Sequence, residues 1–167
     1  MYRSVFLPLI CALTLVQEES PQAFAVSSES SLYAVRGRLA GTLQVQPRRV
    51  TVVVRNGSVL SVAPDPGLQF RAVIATATPT GWKRVAESEP RSLGAFDAGQ
   101  RRELTDSIVF TVKLPSGAKP EEHWLVFQFR RSDGTTTYAC SDRNLSGPDS
   151  LSSARAQQLR TFYPLAC

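Results

Sequence analysis

His123 is the one imidazole in the chain, so any Ser-His-Asp or Cys-His mechanism would have to run through it. It stands between Glu122 and Trp124, where a polar segment meets a hydrophobic run, and no G-x-S-x-G elbow supplies a nucleophile. His123 therefore reads as a surface residue at a strand start. Glu121-Glu122-His123 makes a poor metal sphere, because neighbouring residues on a strand point to opposite faces. Asp142-Arg143-Asn144-Leu145-Ser146-Gly147 begins like a calcium loop, with oxygen side chains at its first, third and fifth positions and glycine at the sixth. Its twelfth position is Ser153 rather than a bidentate glutamate, and Arg143 brings positive charge. A Ser/Asp/Asn-rich turn is the simpler reading, and neither metal nor cofactor is expected.

Binding chemistry has a better candidate. Glu87 to Glu103 shows no convincing strand or helix period, and loops of that length in compact domains are often functional or disordered. Within it Leu93 and Phe96 stand near Arg101 and Arg102, and Gly94 and Gly99 allow unusual backbone angles. Aromatic anchors beside arginines are what binding hot spots use, so Leu93, Phe96, Arg101 and Arg102 are the expected binding residues. The alternative is that Leu93 and Phe96 fold back onto the core as a lid.

The chain carries a formal charge of +5, with Arg48-Arg49, Lys83-Arg84, Arg101-Arg102 and Arg130-Arg131 in pairs. Acidic residues lie close to most of these pairs, so the charge reads as dispersed and serving solubility, with anionic glycans or envelope lipids as further partners it could serve. No basic and aromatic residues interleave as they do in base-stacking surfaces, so no nucleic-acid partner is expected. Asn56-Gly57-Ser58 and Asn144-Leu145-Ser146 are N-glycosylation sequons, used or not according to the host.

The N-terminus reads as an export address. Arg3 precedes the apolar run Val5 to Val16, which is shorter than the ~20 residues that span a bilayer, and Ala23-Phe24-Ala25 has the small-x-small form of a signal-peptidase site. Residues 1–25 are thus expected to be cleaved, leaving no transmembrane anchor and placing the protein outside the cytoplasm, secreted or periplasmic. Cleavage removes Arg3, Glu18 and Glu19, raising the net charge, and also removes Cys11. The remaining pair, Cys140 and Cys167, should join in an oxidising compartment and tie down the C-terminus, a closure worth about 3–4 kcal/mol.

The elements that must position these residues are strands. Tyr33 to Val45 alternates between a dry and a wet face, with Gly37 and Gly41 marking a bulge or bend. Val50–Arg55 and Ser58–Val62 flank Asn56-Gly57, the dipeptide favoured in two-residue type I′ hairpins. Further strands are expected at Leu68 to Ile74, Trp82 to Ala86 and Ile108 to Leu114. Trp124 to Arg130 should be central and buried on both faces, and Ser132-Asp133-Gly134 should turn it into Thr135 to Cys140. Ser150 could cap a short helix over Leu151 to Leu159. Seven to eight short strands without a βαβ rhythm point to an all-β protein, an antiparallel immunoglobulin-like β-sandwich with a short C-terminal helix. The expected organisation is a signal at 1–25, a flexible lead-in at 26–31 and one domain at 32–167.

With no catalytic constellation, the expected role is a secreted, non-enzymatic module that binds a protein or glycan partner or serves a structural, accessory task in an envelope. The alternatives are a small hydrolase or lyase using His123, and a fibre or adhesin subunit that donates the Tyr33 to Val45 strand to a neighbour.

Overall fold

Alternating burial along the chain builds ten strands: β1 (Gln22–Ser28), β2 (Val35–Gln46), β3 (Arg49–Ser61), β4 (Asp65–Thr78), β5 (Gly81–Glu87), β6 (Arg91–Phe96), β7 (Arg101–Leu104), β8 (Ile108–Lys113), β9 (Trp124–Arg130) and β10 (Thr136–Asn144). The computed structural model describes residues 20–28, 33–79 and 81–147, without the side chains of 77, 142 and 143. The tail helix expected at Leu151 to Leu159, the apolar run Val5 to Val16, the cysteine Cys167 and residues 29–31 of the lead-in lie outside those residues. Among the described residues the one helical turn is a 3-10 turn at Pro120–Glu122, and no helix is long and apolar enough to cross a membrane.

Every recorded pairing is antiparallel, and the strands follow one hydrogen-bonded path, β5-β4-β9-β10-β1-β2-β3-β7, with β6 on β4 and β8 on β3. The all-β, sandwich-like class read from the sequence holds. An immunoglobulin-like sandwich has two separately bonded sheets, whereas here a single sheet curls until its flanks meet. Phe70 of β4 meets Phe110 of β8 edge to face at 5.0 Å, and Phe110 meets Phe127 of β9 at 5.7 Å. Phe24, Phe129 and the inward valines of β3 complete this core.

Ten strands occupy the place of eight because two of them are broken. β5 pairs with the Val73–Thr78 half of β4 and β6 with its Asp65–Phe70 half; likewise β8 and β7 divide β3 at Val54 and Gly57. On β3 the break between β8 and β7 falls at the Arg55 bulge, which lets the sheet bend there and close around one core.

Asn56-Gly57 is not a hairpin turn. β3 runs through it, and its partner is β2, reached by the tight connection Pro47-Arg48. A type I′ turn needs positive φ at both central residues, and neither Asn56 nor Gly57 adopts it. Instead Arg55 is the extra residue of a β-bulge opposite the Ala40–Gly41 step. The bulge inverts the strand's phase: Val50, Val52 and Val54 face inward before it, and Val59 and Ser61 after it. The bend expected at Gly41 is here, and a Cβ on Gly41 would fall 1.9 Å from the Val53 carbonyl oxygen.

β1 lies between β10 and β2 and pairs with β2 from Gln22↔Leu43 to Ser28↔Gly37. The expected cleavage point after Ala25 therefore falls inside a central strand, and part of the expected lead-in, Val26 to Ser28, is strand. Phe24, buried in the core, stacks on Phe127 at 5.9 Å.

Candidate anion-binding groove

Glu87 to Glu103 is not a long loop. It holds β6, β7 and a four-residue connection, Asp97 to Gln100, closed by Gln100 N–H donating to Asp97 O at 3.1 Å. Strand pattern was hard to see because β6 and β7 are short and Gly94, at φ 76°, interrupts β6. Leu93 and Phe96 belong to the core, Phe96 with 3% of its surface exposed, so of the two expected roles they take that of a lid. Arg102 stacks its guanidinium on Phe96 at 4.1 Å and donates to the carbonyls of Leu93 and Ala95, the latter at 2.6 Å. It clips β7 to β6 where, among the described residues, no backbone ladder joins them. Of the four expected binding residues, Arg101 alone turns outward.

Arg101 meets two arginines that were not singled out from the sequence. On β2, Arg36 and Arg38 sit two residues apart and so share the outer face. Register sets them beside Arg101: Arg36 pairs with Leu60, which pairs with Arg101, while Arg38 pairs with Ser27 on one side and Ser58 on the other. At ~4.8 Å per strand step, Arg36 and Arg101 flank Leu60 across about 10 Å. The three line a groove of about 330 Å³ with Ser28 and Ser58, and Arg101 Nη1 donates to Ser58 Oγ at 3.4 Å. Glu103, exposed on β7 opposite Ser58, is the acidic neighbour on this face. The wet face of β2 was legible as alternation; its alignment with Arg101 needed the register across β3.

Several arginines outside the groove form ion pairs and hydrogen bonds that tie strands together. Arg71 and Arg84 both bind Glu87, at 2.7 and 2.5 Å, and Arg71 continues through Gln128 to the Tyr138 hydroxyl, a polar ladder across β5, β4, β9 and β10. Arg131 lies 3.2 Å from the buried carboxylate of Asp65 and 2.8 Å from Asp133. Arg49 donates twice to Gln46.

His123 is not a surface residue. It is 8% exposed, its ring Nδ1 is 2.6 Å from the Lys119 carbonyl, and its own carbonyl accepts the Leu145 N–H at 2.8 Å. The carbonyl can only accept, so Nδ1 carries the proton, and the imidazole closes the 3-10 turn onto β9. Asn144 is buried too, donating to Glu121 O at 2.8 Å and accepting from Ser146. Its amide nitrogen, the atom a glycan would take, is in use inside the fold, whereas Asn56 is exposed at the bulge. Among the described residues no group of three His, Cys, Asp or Glu side chains could hold a metal. The Tyr33 to Val45 region, expected as a donated strand, is β2 from Val35 onward, paired on both sides.

No protein-family model matches the chain, and no characterised protein resembles its sequence at a significant level.

Proposed function

We propose that this protein is an extracytoplasmic, non-enzymatic binding module that recognises the anionic groups of its partner through the groove lined by Arg36, Arg38 and Arg101. The observation that carries this reading is the convergence of three guanidinium groups from two strands on one groove, beside the Ser58 hydroxyl, which can share a bound oxyanion. Guanidinium is the side chain best shaped for carboxylate, sulfate or phosphate, binding them through paired N–H donors. An anion about 4 Å from each of two such charges gains ~1 kcal/mol per contact in a water-like medium and several-fold more where the groove excludes water. Like the ends of an immunoglobulin-like sandwich, the rigid sheet holds these residues without catalytic machinery, and the buried, hydrogen-bonded His123 offers no support to a histidine hydrolase or lyase.

The test is retention on a sulfated glycan and calorimetric titration with inorganic phosphate. The triple variant Arg36→Ala, Arg38→Ala, Arg101→Ala should lose at least tenfold in affinity. The double variant Arg48→Ala, Arg49→Ala, at the β2–β3 turn, should stay within about twofold. Equal losses in the two would show that net charge alone drives binding and would sink the proposal.

A further inference from the structure

The arginine groove does not end at Arg38. A second groove of about 430 Å³ begins there and runs over the outer face of β1, β2 and β3, lined by Ala25, Ser27, Ala40, Asn56 and Gly57, with Cys140 beside Ser27 in the Arg38 row. Register makes the two continuous: Ala25↔Ala40↔Asn56 is the row next but one to Ser27↔Arg38↔Ser58, on the same face. The chemistry changes along the path. The first groove presents guanidinium and hydroxyl groups; the second, beyond Arg38, presents the methyl groups of Ala25 and Ala40 and the backbone of Gly57, with Ser27 and Asn56 as its polar members. A Cβ on Gly57 would point inward, 2.4 Å from the Arg38 carbonyl oxygen and 2.8 Å from the core side chain of Leu39, so on the outer face Gly57 presents only backbone.

We infer that the ligand of this site is a single small amphiphile, an anionic head held by Arg36, Arg38 and Arg101 and joined to an unbranched apolar body lying along the methyl groups of Ala25 and Ala40. This rests on the reading of the arginine groove as an anion site and deepens it. A polyanion would place charge all along its length and leave the alanine-lined half facing charged groups. A purely apolar ligand would bury its end against guanidinium. An amphiphile satisfies both halves, because burying each methylene is worth roughly a fourfold gain in affinity when it leaves water completely, while the head supplies the ionic contact.

The experiment titrates the protein with inorganic phosphate and with butyl, hexyl and octyl phosphate below their micelle concentrations. Affinity should rise about two- to fourfold per methylene over the first carbons and then level off as the chain outruns the groove. Arg36→Ala with Arg101→Ala should weaken every member of the series, inorganic phosphate included. Ala25→Gln, a neutral polar change on an exposed strand position, should flatten the dependence on chain length and leave inorganic phosphate within about twofold. Affinity that does not change with chain length, while phosphate binding still needs the arginines, overturns the amphiphile and leaves the anion site standing. Chain-length dependence that survives Ala25→Gln overturns it as well, since the apolar contact then lies elsewhere. Binding that ignores the arginine changes removes both readings. Arginine-dependent sedimentation with phosphatidylglycerol vesicles, without binding of soluble octyl phosphate, assigns the face to a lipid surface and overturns the single-molecule ligand.

Discussion

Gly41, Asp65, His123 and Arg101 show what one position can decide. A methyl group at Gly41 meets the Val53 carbonyl oxygen, backbone that cannot swing aside, whereas Gly67 has open space at its Cβ. Gly41→Ala should therefore cost about 2–3 kcal/mol or more in urea unfolding, while Gly67→Ala stays within ~0.5 kcal/mol. Asp65 is buried at the start of β4, accepts the Gly67 and Ser132 amides, and pairs with Arg131. Removing its carboxylate orphans the Gly67 and Ser132 amides and leaves the Arg131 guanidinium with only the exposed Asp133 as counterion, so Asp65→Ala should lose about 3 kcal/mol, read from the same denaturation curves. At Glu103, replacing the carboxylate with glutamine removes an acidic side chain that neighbours the groove opposite Ser58. Glu103→Gln should tighten phosphate binding severalfold in low salt, with the gain fading as ionic strength rises.

Turns and bulges were decided at the level of elements. The β9–β10 turn stands where Ser132-Asp133-Gly134 predicted it, because Asp133 accepts the Thr135 N–H at 2.9 Å and Gly134 takes the positive φ. Hydrogen bonds from the Thr135 backbone and side chain, with the Arg131 charge adding to them, hold the Asp133 carboxyl below its ordinary range. A depressed carboxyl stabilises the folded state above its unfolded pKa, and that contribution disappears as pH falls through the folded value. An NMR titration should place the Asp133 midpoint below that of exposed aspartates, with the Thr135 amide shifting over the same interval. Asn56-Gly57 carried the same kind of local signal and went the other way. A dipeptide that favours a turn yields to a strand when the residues on either side find partners on β2, β7 and β8. The change from even to odd apolar positions across Arg55 was the visible trace of the bulge, and it was readable as easily as the dipeptide.

At the scale of the molecule, β1 bears on how the chain is processed. A chain that began at Val26 would lack Phe24 and the rungs from Gln22 to Ala25, and deleting such a buried aromatic costs about 3–5 kcal/mol. If the leader is removed on export, the cut should fall before Gln22. N-terminal sequencing of the exported protein checks this, and a version starting at Ser20 should melt well above one starting at Val26. Cys140 lies on the outer face with Val73, Ala75 and Val126, and the proposal that it joins Cys167 predicts that alkylation labels neither cysteine before reduction. Local sequence pattern determined that the chain is all-β and antiparallel: alternation located β2 and β8, a run apolar on both faces located β9, and Ser132-Asp133-Gly134 located the β9–β10 turn, because each of these signals is complete within a few neighbouring residues. Tertiary structure alone decided the single curled sheet, the conversion of Glu87 to Glu103 into β6 and β7, the burial of His123, Leu93 and Phe96, and the meeting of Arg101 with Arg36 and Arg38. Those facts depend on which strand lies beside which, and cross-strand register links residues more than sixty positions apart that no local pattern connects.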